Sequence, residues 1–143
     1  MKSLTKVLLA LMVLTFFSGS AFGQQALYKS LNKRMAILYK SGKTKQAIAT
    51  AEEAMKVAEE TFGKNHAYYY ATLENLALLH VAEGNNKEAA SLYEESFSVR
   101  EGLLGKNNPK LKDVLEKLEN CYKVLRADDK LQATQARIAS LQS

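Results

Sequence analysis

Residues Leu73 to Phe97 read LENLALLHVAEGNNKEAASLYEESF, and the fold turns on this stretch. Gly84 stands where a chain leaving one helix can take a left-handed backbone conformation and turn back, because glycine carries no β-carbon to object. Asn85 followed by Glu88 reads as an N-cap pair opening the next helix. Ala89 comes early in that second helix, where a small side chain lets the two helices of a hairpin approach closely. The stretch predicts two helices folded against each other about Gly84.

Outward from this hairpin the same landmarks recur at an offset of 42 residues, which is the signature of a repeat protein. Gly42 returns as Gly84, Ala47 as Ala89, and Gly63-Lys64-Asn65 as Gly105-Lys106-Asn107. Leu31 returns as Leu73 and Leu115, and His66 as Asn108, after which the next segment opens with Pro109. Apolar residues within a copy are spaced for helices: Leu27, Leu31, Met35 and Leu38 form one stripe, and Ala47, Ile48, Ala51, Ala54, Met55, Ala58 and Phe62 another. Gly63 and Gly105 are placed to end the longer second helices. The third copy is degenerate. Arg126 falls where its turn glycine would stand, and a rival alignment of Asn120 with Asn75, at an offset of 45, would require a first helix about one turn longer, so the register stays open. A last helix with Leu131, Ile138 and Leu141 on its apolar side, and Asp129 as N-cap, would close the stack.

The run Asn75-Leu76-Ala77, Gly84, Glu88-Ala89 and Leu104-Gly105, with Asn108-Pro109 beyond it, resembles a tetratricopeptide repeat of the 42-residue kind found in kinesin light chains. The resemblance covers about residues 27–141. It implies an all-α fold, a right-handed α-solenoid of about three helix-turn-helix repeats (about 27–66, 69–108 and 111–143), and a non-enzymatic protein that binds other proteins. It also implies that Asn75 corresponds to a groove asparagine that bonds the backbone of a bound peptide, an amide being suited because it both donates and accepts. The residue itself admits a second role, bridging within the stack. The first copy departs from the pattern, with Arg34-Met35 where the second has Leu76-Ala77.

Composition agrees with a helical protein. Of 143 residues, 47% are hydrophobic and 24% charged, which argues against extensive disorder; seven Gly, one Pro and no Trp leave too few turn residues for a strand-rich fold. The first 23 residues place Lys2 and Lys6 ahead of an apolar run from Val7 to Phe17, followed by small residues and Ala21-Phe22-Gly23, the layout of a signal peptide cleaved after Gly23. The run is too short to span a bilayer. Residues 24–143 would then be the repeat domain, exported to a periplasmic or secreted destination with no stable membrane span. Removing the leader takes away two Lys and no acid, so the formal charge falls from +5 to +3. That small excess, interleaved with acids, argues against nucleic-acid binding.

No catalytic, cofactor-binding or metal-ligating constellation emerges. His66 and His80 lie fourteen apart without a second ligand at metal spacing, and the lone Cys121 reads as a small buried residue rather than a nucleophile. Glu52-Glu53, Glu59-Glu60 and Glu94-Glu95 read as solvated faces paired with nearby Lys or Arg. Tyr68-Tyr69-Tyr70 at a helix start reads as partly core. What remains is surface. With the apolar stripes turned inward, the first helices present Lys29, Asn32, Lys33, Ala36, Tyr39 and Lys40 in the first copy, and Ala71, Glu74, Asn75, Leu78, Val81 and Ala82 in the second. The candidate partner groove is Asn32, Lys33, Tyr39, Lys40, Asn75, Leu78 and Val81, suited to a peptide or protein segment. The alternative is a structural protein of the cell envelope that self-associates, as a homo-oligomer, through the ends of its short stack.

Overall fold

The computed structural model describes residues 22–141. Of the 1–23 leader, residues 1–21 lie outside the described residues, and Phe22 and Gly23 belong to the first helix. The described part of that helix, α1, covers 22–40. It is followed by α2 (Thr44–Phe62), α3 (Ala67–Ala82), α4 (Asn86–Leu104), a one-turn 3-10 segment (Pro109–Leu111), α5 (Lys112–Leu125) and α6 (Asp128–Ser140). Among the described residues there is no strand, and no helix is long and apolar enough to cross a membrane.

The helices pair as α1 with α2, α3 with α4 and α5 with α6, and the three turns are built alike. After α1 the Lys43 N–H reaches the Leu38 carbonyl; after α3 Asn85 reaches His80; after α5 Ala127 reaches Tyr122. Each of these bonds stands 42 residues from the last and closes a helix end by satisfying carbonyls the helix leaves free. The register of the third copy is thereby settled at 42. Arg126 takes the left-handed conformation (φ 53°) at the place of Gly42 (φ 73°) and Gly84 (φ 79°). No extra turn lengthens α5, so Lys117, not Asn120, corresponds to Asn75.

Two expected caps differ. Asn85 precedes α4 but its side chain caps nothing, because its backbone (φ −82°, ψ 59°) is committed to the turn and lies outside the extended region from which an N-cap side chain reaches back. Asp129 lies inside α6, whose N-cap is Ala127; both Asp128 and Asp129 occupy the first turn, where their charge favours the positive end of the helix dipole. Side chains do cap α3 in copy two and, in copy three, the 3-10 segment that leads into α5. His66 Nδ1 accepts from the Tyr68 N–H at 3.1 Å, and Asn108 Oδ1 from the Lys110 N–H at 2.9 Å. This is why an imidazole and an amide share one repeat position.

Alanine sets the helix spacing. Ala47 and Ala89 are both fully buried, and Ala51, Ala54 and Ala58 extend the close face of α2. Met35 with Ala47, Ala51, Leu76 and Leu79 forms the core between the first two pairs. Ala77, Ala89, Tyr93, Leu115, Leu118 and Cys121 belong to the next, closed by Leu131 and Ile138 of α6 and by Leu141 just beyond it. Cys121 is 2% exposed, a small apolar filler whose thiol is pushed up by burial.

Candidate functional site

The first helices α1, α3 and α5 are tied side by side by polar contacts. Tyr28 Oη bonds the Tyr68 carbonyl at 3.0 Å and lies 3.1 Å from Thr72 Oγ1, while its ring stacks on Tyr68 at 4.6 Å. Phe62 and His66 complete this aromatic junction with rings 4.9 Å apart, so Tyr68 and the buried Tyr69 serve the core as expected. One turn along, Asn75 Nδ2 donates to Asn32 Oδ1 at 3.2 Å, and Asn32 Nδ2 donates to the Tyr28 carbonyl at 2.9 Å. The Asn75 amide thus bridges two repeats with its N–H, and among the described residues its Oδ1 receives no hydrogen bond.

Glu74, which the sequence placed on the open face, is taken up by the stack instead. Its carboxylate accepts from Arg100 Nη1 at 2.7 Å, Ser96 Oγ at 2.9 Å and Lys117 Nζ at 3.0 Å. Arg100, 9% exposed, also donates to the Lys110 carbonyl at 2.6 Å and approaches Asp113 at 3.6 Å. The Lys117 hydrogen bond, followed by the Arg100 charge, holds the Asp113 carboxyl below its ordinary value in spite of partial desolvation. Desolvation opposes charge on Lys117 as well, but its bonds to Asp113 and Glu74 outweigh it and hold the ammonium above its ordinary value. The network clamps the second pair to the third and neutralises the acids on this face.

Beyond the clamp lies a cleft of about 230 Å³ between α3 and α5. Leu78 and Val81 form one wall, Lys117, Asn120 and Val124 the other, and Tyr93 and Cys121 the floor. Leu78 is 48%, Val81 39% and Val124 65% exposed, an apolar strip open to solvent. Of the sequence-chosen residues, Leu78 and Val81 meet here and Asn32 and Asn75 meet one turn away. Tyr39 and Lys40 are exposed at the end of α1, one repeat step before Val81 and Ala82, and Lys33 is exposed one step before Asn75. The α5 wall escaped the sequence reading because the third register was open; the 42-residue offset carries Asn75, Leu78 and Ala82 to Lys117, Asn120 and Val124.

On the second-helix side the glutamate pairs divide. Glu52, Glu53, Glu59 and Glu60 are exposed as expected. Glu95 is exposed yet receives the hydroxyl of the buried Tyr69 at 2.7 Å, and Glu94 receives Tyr122 Oη at 2.5 Å and Lys130 at 2.6 Å. Burial alone would raise the Glu94 carboxyl; the Lys130 and Tyr122 bonds outweigh it and hold it below its ordinary value. Among the described residues no three His, Cys, Asp or Glu side chains gather as a metal site.

These features define an all-helical repeat protein with an open, partly apolar face along its first helices. Residues 28–102 match the tetratricopeptide repeat family, and the chain belongs to it. Solved structures with the same architecture include BtubC (BKLC) from P. vanneervenii, at 20% identity and a TM-score of 0.73 over 80% of this chain and 46% of that one. A Podosopora anserina protein assigned as a kinesin light chain, with nearly identical TPR-like repeats, matches at 18% identity and a TM-score of 0.67 over 80% of this chain and 54% of that one. A variant of the latter aligns likewise at 0.69. The chain spans about half the length of these proteins, and at such identity the likeness is one of fold. No curated protein sequence matches it.

Proposed function

We propose that this is an exported, non-enzymatic interaction module that holds a segment of a partner protein along its first-helix face. The observation that carries the reading is the cleft between α3 and α5, where exposed Leu78, Val81 and Val124 surround a floor of Tyr93 and Cys121. Apolar walls supply the binding energy, and polar groups at the rim fix orientation. The free Oδ1 of Asn75 is available to accept a partner's backbone N–H. Lys33 and Lys40, exposed on α1, contribute a positive field that weakens as salt rises. The leader of residues 1–23 and a periplasmic or secreted destination belong to this reading.

The test is titration of a peptide selected from a random display library against the folded protein. Leu78→Asp and Val81→Asp, at exposed positions, should weaken binding about tenfold or more with little change in melting temperature. Asn75→Ala should cost about 1–3 kcal/mol of binding where the bonded groups are buried. Unchanged affinity in the Leu78 and Val81 variants, with binding abolished by changes on α2 or α4, would transfer the site to the second-helix side.

A further inference from the structure

The two seams between helix pairs repeat each other residue for residue. At the first, Met35 shares a buried cluster with Leu76, and Asn75 bonds Asn32. At the second, 42 residues on, Ala77 shares a cluster with Leu118, and Lys117 bonds Glu74. One further step of this register passes beyond the described stack on either side. On the C-terminal side, Met35 and Ala77 are succeeded by Glu119, and Asn32 and Glu74 by Glu116. On the N-terminal side, Leu76 and Leu118 are preceded by Arg34, and Asn75 and Lys117 by Lys33. Positions that meet inside the stack are therefore acidic on the outer face of the last described pair and basic on that of the first.

Neighbouring positions follow the same logic. Leu79 and Cys121 are buried at the seams, and their predecessor Ile37 is 56% exposed; Tyr69 and Leu111 are buried, and their predecessor Leu27 is 41% exposed. Residues 22–51 contain Lys29, Lys33, Arg34, Lys40, Lys43 and Lys45 and no acid, so two N-terminal ends repel each other. Neither Lys33 nor Arg34 forms an ion pair among the described residues. Glu116 pairs with Lys112 at the surface, where such a pair contributes little, and Glu119, its side chain 19% exposed, is held by Lys123 and by Gln135 of α6. Solvation of an outer face asks only for polarity; opposite charges at matched seam positions are what a further seam asks for.

We propose that the protein associates with a second copy of itself head to tail. In this arrangement α1 of one molecule docks on α5 and α6 of another in the register of the internal seams, setting Arg34 against Glu119 and Lys33 against Glu116. The contact is heterologous, so repetition yields a ring or an open stack, and it extends the first-helix face without covering the cleft. The proposal goes beyond the groove reading and is read out without any partner peptide.

Sedimentation velocity of the purified protein should show a mass that rises with concentration and falls back as salt is added. Arg34→Glu and Glu119→Arg should each raise the association Kd about tenfold or more. The double variant Arg34→Glu/Glu119→Arg, or an equimolar mixture of the two single variants, should regain association, with circular dichroism showing all of them folded. A wild-type monomer at every concentration, single reversals without effect, or a double variant that stays monomeric would each overturn the proposal.

Discussion

Arg126 holds its backbone at φ 53° where the two earlier turns use glycine, a conformation that costs an ordinary L-residue about 1–2 kcal/mol. The fold tolerates it because the bond from Ala127 to the Tyr122 carbonyl closes this turn as its counterparts close the others. Arg126→Gly should relieve part of that cost, offset by the greater freedom of the unfolded chain, for a net gain of about 0.5–1 kcal/mol. A β-carbon at Gly84 would meet no atom within 4 Å, so Gly84→Ala isolates the backbone term and should destabilise by about 1 kcal/mol or more. Urea denaturation of the two variants checks the pair; a stability loss in Arg126→Gly would refute the strain argument.

At the scale of helices, the hairpins are gauged by their smallest residues. Ala89 is fully buried where α4 crosses α3, so Ala89→Leu should overpack the crossing and cost about 1–3 kcal/mol. Glu95 is no neutral comparison, since it accepts from the Tyr69 hydroxyl. Glu53 is exposed on α2, and Glu53→Ala should stay within about 0.5 kcal/mol of wild type. Equal losses in Ala89→Leu and Glu53→Ala, measured by thermal unfolding, would contradict the close crossing.

Across the whole molecule, carboxylates fasten one pair to the next. Asp113 joins the Lys117 and Arg100 network, and Glu94 on α4 holds Tyr122 of α5 and Lys130 of α6. Both carboxyls are held below their ordinary values of 3.8 and 4.5 in the folded state. Depressed acids stabilise above the unfolded value, and that contribution is lost as pH falls through the folded value. Melting temperature should accordingly drop as the solution is acidified below about pH 5. The drop should be shallower in a Lys117→Met/Lys130→Met variant, which lacks the partners that depress the two carboxyls. Parallel curves for the two proteins would exclude these contacts as the acid-sensitive ones.

The helical class, the 42-residue repeat and the glycine turns were legible in the sequence because each rests on local chemistry: apolar spacing along one helix, a left-handed residue, a small side chain at a crossing. His66 and Asn108 were legible as a matched pair, and the folded backbone shows each bonding the N–H two residues on. The family resemblance pointed to Asn75 and its face, yet the sequence assigned Glu74 to solvent and left the α5 wall of the cleft unnamed. Tertiary structure decided these points for one physical reason. Where Glu74 goes depends on Arg100 and Lys117, which lie on other helices, and an ion pair across 26 or 43 residues leaves no periodic trace in the chain. Likewise Arg126 could stand in for glycine only because a complete turn formed around it, and that turn placed Lys117, Asn120 and Val124 opposite Leu78 and Val81.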